Sequence, residues 1–226
     1  MKTLGVLGGM GPAATVAFLA RVQALTPAQG DADHIRVVMD LNPQVPDRNT
    51  RPGEAEAELA AMALRLKAAG AQVLAMPCNT AHAQKAGIEA AGLPFIDMIA
   101  ATVAAVKASG AQAIGILATP GGEALYRTVL EGQGLRPVLL EGVDREAFMA
   151  CVYGVKRGDT GADNRAAMQR LAGALIEAGA GAVIAGCTEV PLLLAAADVA
   201  VPLVDSAEVL AGACVAACAG TGPARV

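Results

Sequence analysis

Several things are scarce in this 226-residue chain. There is no tryptophan, and only three phenylalanines and two tyrosines. That leaves too few aromatic rings to build stacking platforms for bases or sugars. Charged residues are 17% of the total and sum to a net charge of −4. A nucleic-acid-binding surface needs a basic excess, so it is not expected. Long apolar runs are missing too. Leu4 to Leu7 stops at Gly8-Gly9, too short for a secretory core. The later apolar stretches break at Glu177, Asp198 or Pro202, short of the roughly 20 residues that span a bilayer. The expectation is a cytoplasmic protein without a membrane partner. The five cysteines are odd in number and irregularly spaced. They form neither a disulfide framework nor a zinc site and should be reduced thiols.

What is abundant is hydrophobic, at 54% of residues. That is enough to bury a substantial core and excludes intrinsic disorder. The length allows one large domain or two small ones. Short β-rich runs at Leu4–Leu7, Arg36–Leu41 and Val73–Met76 alternate with helix formers at Ala13–Ala24 and Glu54–Ala69. This βαβ order predicts an α/β fold with parallel sheets and helices on both faces.

An internal repeat sharpens the expectation. Residues 69–78, ending in Pro77-Cys78, align at an offset of 109 with residues 178–187, ending in Gly186-Cys187. Leu93 to Asp97 aligns with Val201 to Asp205, and Gly5-Val6-Leu7 with Gly115-Ile116-Leu117. The offsets agree within two residues. The chain therefore reads as two similar parallel-sheet αβα domains related by a pseudo-twofold axis, with the active site in the cleft between them. The first domain is 1–98 plus 206–226, and the second is 99–205.

Ligands of parallel α/β sheets bind beyond the carboxyl ends of the strands. Cys78 and Cys187 both fall there, followed by Asn79-Thr80 and Thr188-Glu189. Those residue types start helices. A helix N-terminus would lower each thiol's pKa toward neutrality. Two thiols meeting across one cleft suit proton removal from one face of a carbon and delivery to the other. The carbanion-like intermediate needs donors around its carboxylate. Asn79, Thr80, Thr119 and Thr188 stand at strand ends that could supply them. Neither metal nor cofactor is required. Cys151, Cys214 and Cys218 read as core residues. Arg48, in the Pro-rich loop Asn42–Pro52, would give an acidic protein a local cation for a dianion. Glu189 either orients or deprotonates Cys187, or caps its helix. His82 either biases the Cys78 thiol or is simply hydrogen-bonded. Gly9-Met10-Gly11 with Ala14 is a weak match to a dinucleotide-binding loop, so a nicotinamide-dependent reductase ranks low.

These motifs resemble the aspartate/glutamate racemase family, with greatest similarity to its aspartate racemases. The matching segments are Gly8-Gly9-Met10-Gly11-Pro12, Pro46-Asp47-Arg48, Pro77-Cys78-Asn79-Thr80-Ala81-His82, Tyr153-Gly154-Val155-Lys156 and Ala185-Gly186-Cys187-Thr188-Glu189-Val190. The resemblance implies cofactor-independent racemisation of a small acidic amino acid by a homodimer. Cys78 and Cys187 match the catalytic cysteines. Arg48 and Lys156 match the cationic pair that reads the substrate's side-chain carboxylate. Met10, Asn79, Thr80, Thr119 and Thr188 match further substrate contacts. Where glutamate racemases carry Asp-Ser and a His, this chain has Gly8-Gly9 and Glu189. Two alternatives remain at this point: a maleate-type cis-trans isomerase using a nucleophilic cysteine, and a non-catalytic dicarboxylate-binding protein.

Overall fold

A computed structural model describes residues 1–219; residues 220–226, included above in the first domain, lie outside the described residues. The chain divides into two compact units. One is Met1–Ala101 with the chain from Ala207, and the other is Thr102–Ser206.

In the first unit, β1 (Leu4–Gly8), β2 (Val37–Leu41), β3 (Val73–Ala75) and β4 (Phe95–Ile96) form one parallel sheet in the order β2-β1-β3-β4. Helices α1 (Pro12–Leu25), α2 (Pro52–Ala68) and α3 (Lys85–Glu89) connect the strands, and α4 (Met98–Lys107) begins in this unit and continues into the second. The second unit repeats the plan. Strands β5 (Ala113–Leu117), β6 (Arg136–Leu139), β7 (Ala182–Ala185) and β8 (Leu203–Asp205) pair in the order β6-β5-β7-β8, again all parallel. Their helices are α5 (Pro120–Gly132), α6 (Gly142–Lys156) and α7 (Ala162–Glu177). The last helix, α8 (Ser206–Ala219), packs Leu210, Ala211 and Cys214 into the cluster of Leu4, Phe18 and Val73 in the first unit.

The central strands β1, β3 and β7 are buried along their whole length, which is why they read as unbroken apolar runs rather than alternations. The flanking helices show an apolar stripe instead. In α2 the stripe is Leu59, Met62, Ala63 and Leu66; in α7 it is Met168, Leu171, Ala172 and Leu175. The two sets keep the same spacing, each residue matching one 109 positions later. Pro52 opens α2, Glu54 sits in its first turn, and Arg65 and Lys67 in its last. Each choice suits a helix end of that polarity. Both stripe helices close the same way. Gly70 and Gly179 adopt positive φ of 93°, and the next amides, Ala71 and Ala180, reach back to Leu66 and Leu175 at 3.0 Å. Glycine reaches that left-handed conformation without a Cβ penalty. The duplication seen in sequence is therefore a duplication of packing and of turn chemistry. Tyr126, Phe18 and Phe148 are among the largest fully buried side chains. Complete burial of an apolar side chain contributes roughly 1.5–3 kcal/mol. Among the described residues, no helix is long and apolar enough to cross a membrane.

Candidate active site

In the first unit, three segments gather at the carboxyl ends of β1 and β3. The turn after β1 carries Gly8 to Pro12. Gly9 has φ of +99°, and a Cβ there would lie 2.4 Å from the Asn42 backbone, so only glycine fits. Its amide donates to Thr15 Oγ1 at 3.0 Å, and that hydroxyl donates to the Gly11 carbonyl at 2.9 Å. Met10 is buried in the cluster that contains Val45 and Cys78. The glycine turn, the Pro-rich loop and the cysteine strand end are thus packed into one wall.

The Pro-rich loop is shaped by Asp47. Its carboxylate accepts the amides of Asn49 and Thr50, each at 2.9 Å. Those bonds, Thr50 foremost, hold its pKa below the usual carboxylate value. Arg48 follows and is half-buried, and its Nε is enclosed without a hydrogen-bond partner among the described residues. An enclosed guanidinium nitrogen left unpaired is costly, and a carboxylate would satisfy it.

Cys78 is 5% exposed. The chain beyond it forms a 3-10 turn, Thr80–Gln84, rather than an α-helix, and the buried Asn79 does not cap it with its side chain. Thr80 is half-buried. His82 is buried, with Nδ1 2.8 Å from the Cys78 carbonyl and Nε2 accepting the Met98 amide at 3.0 Å. Gln84, which the sequence does not single out, is buried on the same turn, and its Oε1 lacks a partner among the described residues. A lone glutamine carries no pattern that could have marked it.

In the second unit, Thr119 follows β5 at the start of α5 and is half-buried. Cys187 follows β7 and is 6% exposed. Its Sγ donates to Glu189 Oε2 at 2.9 Å. The Thr188 hydroxyl donates to the same oxygen at 3.3 Å, while Lys156 Nζ lies 3.3 Å from Oε1. Glu189 is buried, and Lys156, at the end of α6, is partly exposed. The turn after Glu189 is a three-residue 3-10 segment, Val190–Leu192, which Glu189 does not cap with its side chain.

This decides one open choice and corrects one expectation. Glu189 spends its carboxylate on Cys187, Thr188 and Lys156 rather than on a helix cap. The Cys187 pKa is not lowered but pushed up: burial disfavours the thiolate first, and the adjacent Glu189 charge adds to it, with Lys156 only partly offsetting. A short 3-10 turn has too little aligned dipole to reverse those effects. The structure brings Cys187, Thr188, Glu189 and Lys156 together in one unit, and Met10 with Cys78 in the other. Cys151, Cys214 and Cys218 are buried in the cores as expected.

The chain is similar to known proteins along nearly its whole length. A family profile described as Asp/Glu/Hydantoin racemase matches residues 7–214. The broad specificity amino-acid racemase RacX of Bacillus subtilis (strain 168) is 27% identical over 216 residues, covering 92% of this chain and 94% of that protein. The solved structure of the Picrophilus torridus aspartate racemase superimposes with a TM-score of 0.83 at 27% identity, covering 99% of this chain and 96% of that one. A glutamate racemase of Roseiflexus sp. (strain RS-1) is 33% identical over 153 residues, 63% of this chain and 53% of that protein. The chain belongs to the Asp/Glu/Hydantoin racemase family. By class, that makes it an isomerase acting as an amino-acid racemase.

Proposed function

We propose that the protein interconverts L- and D-aspartate, and accepts glutamate, without a cofactor, by two-base proton transfer at Cα between Cys78 and Cys187. The observation that carries this reading is the repeated thiol: in each unit an inner strand, β3 or β7, is followed within three residues by a buried cysteine and then by polar side chains. The likeness to the Picrophilus torridus aspartate racemase supports aspartate, and that to the broad-specificity Bacillus subtilis racemase supports a wider range.

One thiolate takes the Cα proton, and the C–H electron pair passes into the α-carboxylate as an enolate-like dianion. The other thiol gives its proton to the opposite face, and its S–H pair stays on sulfur as thiolate. The carbon is inverted, and the two sulfurs have exchanged protonation states. Burial and Glu189 favour the protonated form of Cys187, which suits it to deliver a proton to Cα. In the reverse direction the Cys187 thiolate takes the Cα proton while the Cys78 thiol donates to the opposite face, which restores both sulfurs; Glu189, paired with Lys156, then accepts the Cys187 S–H hydrogen bond again.

Arg48 takes the side-chain carboxylate on its enclosed guanidinium, with Lys156 as the second cation. Asn79, Thr80, Thr119 and Thr188 hold the α-carboxylate and amino group against the charge that develops. Met10 supplies an apolar wall beside Cys78. A homodimer in the cytoplasm belongs to the same reading, through the family resemblance.

The test is incubation with D- and L-aspartate, glutamate and alanine in D2O, without added cofactor, followed by chiral separation and mass analysis. Racemic aspartate carrying one deuteron at Cα is expected. Absence of exchange with retained binding contradicts catalysis, and conversion of maleate alone points to a cis-trans isomerase.

A further inference from the structure

The chain has only two histidines, and one of them, His82, is 3% exposed beside a proposed proton-transferring thiol. Nε2 accepts the Met98 amide at 3.0 Å. A ring nitrogen that accepts carries no proton, so the imidazole proton lies on Nδ1 and is donated to the Cys78 carbonyl 2.8 Å away. Phe95 covers the ring at 5.3 Å between centroids. The charged groups around it are Lys85 and Asp97, closed on each other at 2.6 Å. The second Asp97 oxygen is occupied by the amides of Ile99 and Ala100. Burial lowers the His82 pKa, opposed by its bond to the Cys78 carbonyl and by Asp97. A donor and an acceptor both engaged, in a buried neutral ring, do not suit a proton shuttle.

We propose that His82 is a positioning residue for Cys78: a neutral imidazole in one tautomer that ties the Cys78 carbonyl to the first amide of α4 and so fixes where the thiol points. This rests on the reading of Cys78 as a proton-transferring group. The chain around Cys78 needs such a tie. Only Met76 and Pro77 separate it from the last residue of β3, and its amide turns back on the Met76 carbonyl at 2.8 Å. On its other side runs the 3-10 turn, which leads into α3. The second unit meets the same need differently. The residue at the matching offset is Pro191, and there the Ser206 hydroxyl, at the start of α8, donates to the Ala185 carbonyl at 2.7 Å. In both units, the first residue of the helix that follows the last strand is tied to the cysteine-bearing segment.

The experiment combines ring 15N NMR of the full chain with kinetics of His82→Gln and His82→Ala. Glutamine carries one donor and one acceptor and can reproduce the tie; alanine cannot. The expected spectrum is that of an Nδ1–H tautomer, unchanged from pH 5.5 to 9. His82→Ala is expected to lose kcat on the order of a hundredfold in both directions, because misplacement by about 1 Å has that effect. Its KM and pH limbs should stay in place, and His82→Gln should recover a large part of the rate. A ring that titrates near its ordinary value, loss of a pH limb in His82→Gln, or full kcat in a folded His82→Ala would overturn the proposal. If His82→Ala does not fold, the spectrum and the His82→Gln profile decide alone. If the wild-type protein does not racemise, the proposed function fails separately. The positioning claim is then read from Cys78 alkylation by iodoacetamide: a larger rate change in His82→Ala than in His82→Gln supports it, and equal rates contradict it.

Discussion

The Cys187 thiol donates a 2.9 Å hydrogen bond to a Glu189 carboxylate that Lys156 approaches from its other oxygen. The three groups form a charge-balanced line in which the sulfur is the neutral end. Its thiolate is disfavoured by burial and by the negative neighbour. Glu189→Gln removes that negative charge and releases the Lys156 ammonium from its partner. The Cys187 pKa should fall, so thiolate absorbance near pH 8 should rise, by roughly tenfold where the titration midpoint drops by one pH unit. Racemisation should nevertheless slow in the direction that draws on Cys187 as the proton donor, since a smaller share of the protein then holds the S–H that delivers the proton to Cα. Thiolate titration and initial rates measured on the same preparation check both parts.

Arg48 presents an enclosed Nε without a partner among the described residues. Arg48→Lys keeps a charge but loses the planar fork, so it should weaken aspartate more than alanine. Arg48→Ala should cost aspartate about 2 kcal/mol of kcat/KM, or roughly 30-fold, the scale of a charge-assisted hydrogen bond. Equal losses for aspartate and alanine would remove Arg48 from side-chain recognition.

Buried thiols set the alkaline limit of stability. The pKa values of Cys151, Cys187, Cys214 and Cys218 are all raised, with burial the leading cause in each. Below the ordinary thiol value of about 8.5 both folded and unfolded chains hold these protons. Above it the unfolded chain releases them first, so stability falls as pH rises. Each fully buried thiol contributes a slope of about 1.4 kcal/mol per pH unit. Urea melts from pH 8 to 10.5 should show this decline, and Cys214→Ala should lessen its steepness. On the acid side, His82 has a lowered pKa. Stability should therefore fall as pH drops below about 6.5, where the unfolded imidazole takes up a proton.

Gly9 stands at positive φ against the Asn42 backbone. Gly9→Ala should destabilise the first unit by on the order of 1–3 kcal/mol, the scale of a strained backbone position. It should also displace the Met10 wall. Gly53→Ala, in open space near the start of α2, should be close to neutral. Thermal melts of the two variants make the comparison.

Much of this architecture is legible in the residues themselves. The apolar runs of β1, β3 and β7 mark buried parallel strands. The 109-residue offset that joins Cys78 to Cys187 also joins Leu59 to Met168 and Leu66 to Leu175. Side-chain allegiance is less legible. A Thr-Glu pair after a cysteine reads equally well as a cap or as a thiol partner. The choice depends on whether the next turn is an α-helix offering several free amides or, as found, a three-residue 3-10 segment. His82 is similar. Its spacing from Cys78 is visible in sequence, but its second partner, Met98, comes from a helix sixteen residues on, placed by β4.

The two-thiol account is tested most directly by Cys78→Ser and Cys187→Ser, each given L- or D-aspartate in D2O. The account predicts that both folded variants fail to racemise either enantiomer, because inversion needs a sulfur base on each face of Cα. Wild-type rates of deuterated product inversion in either variant would contradict it.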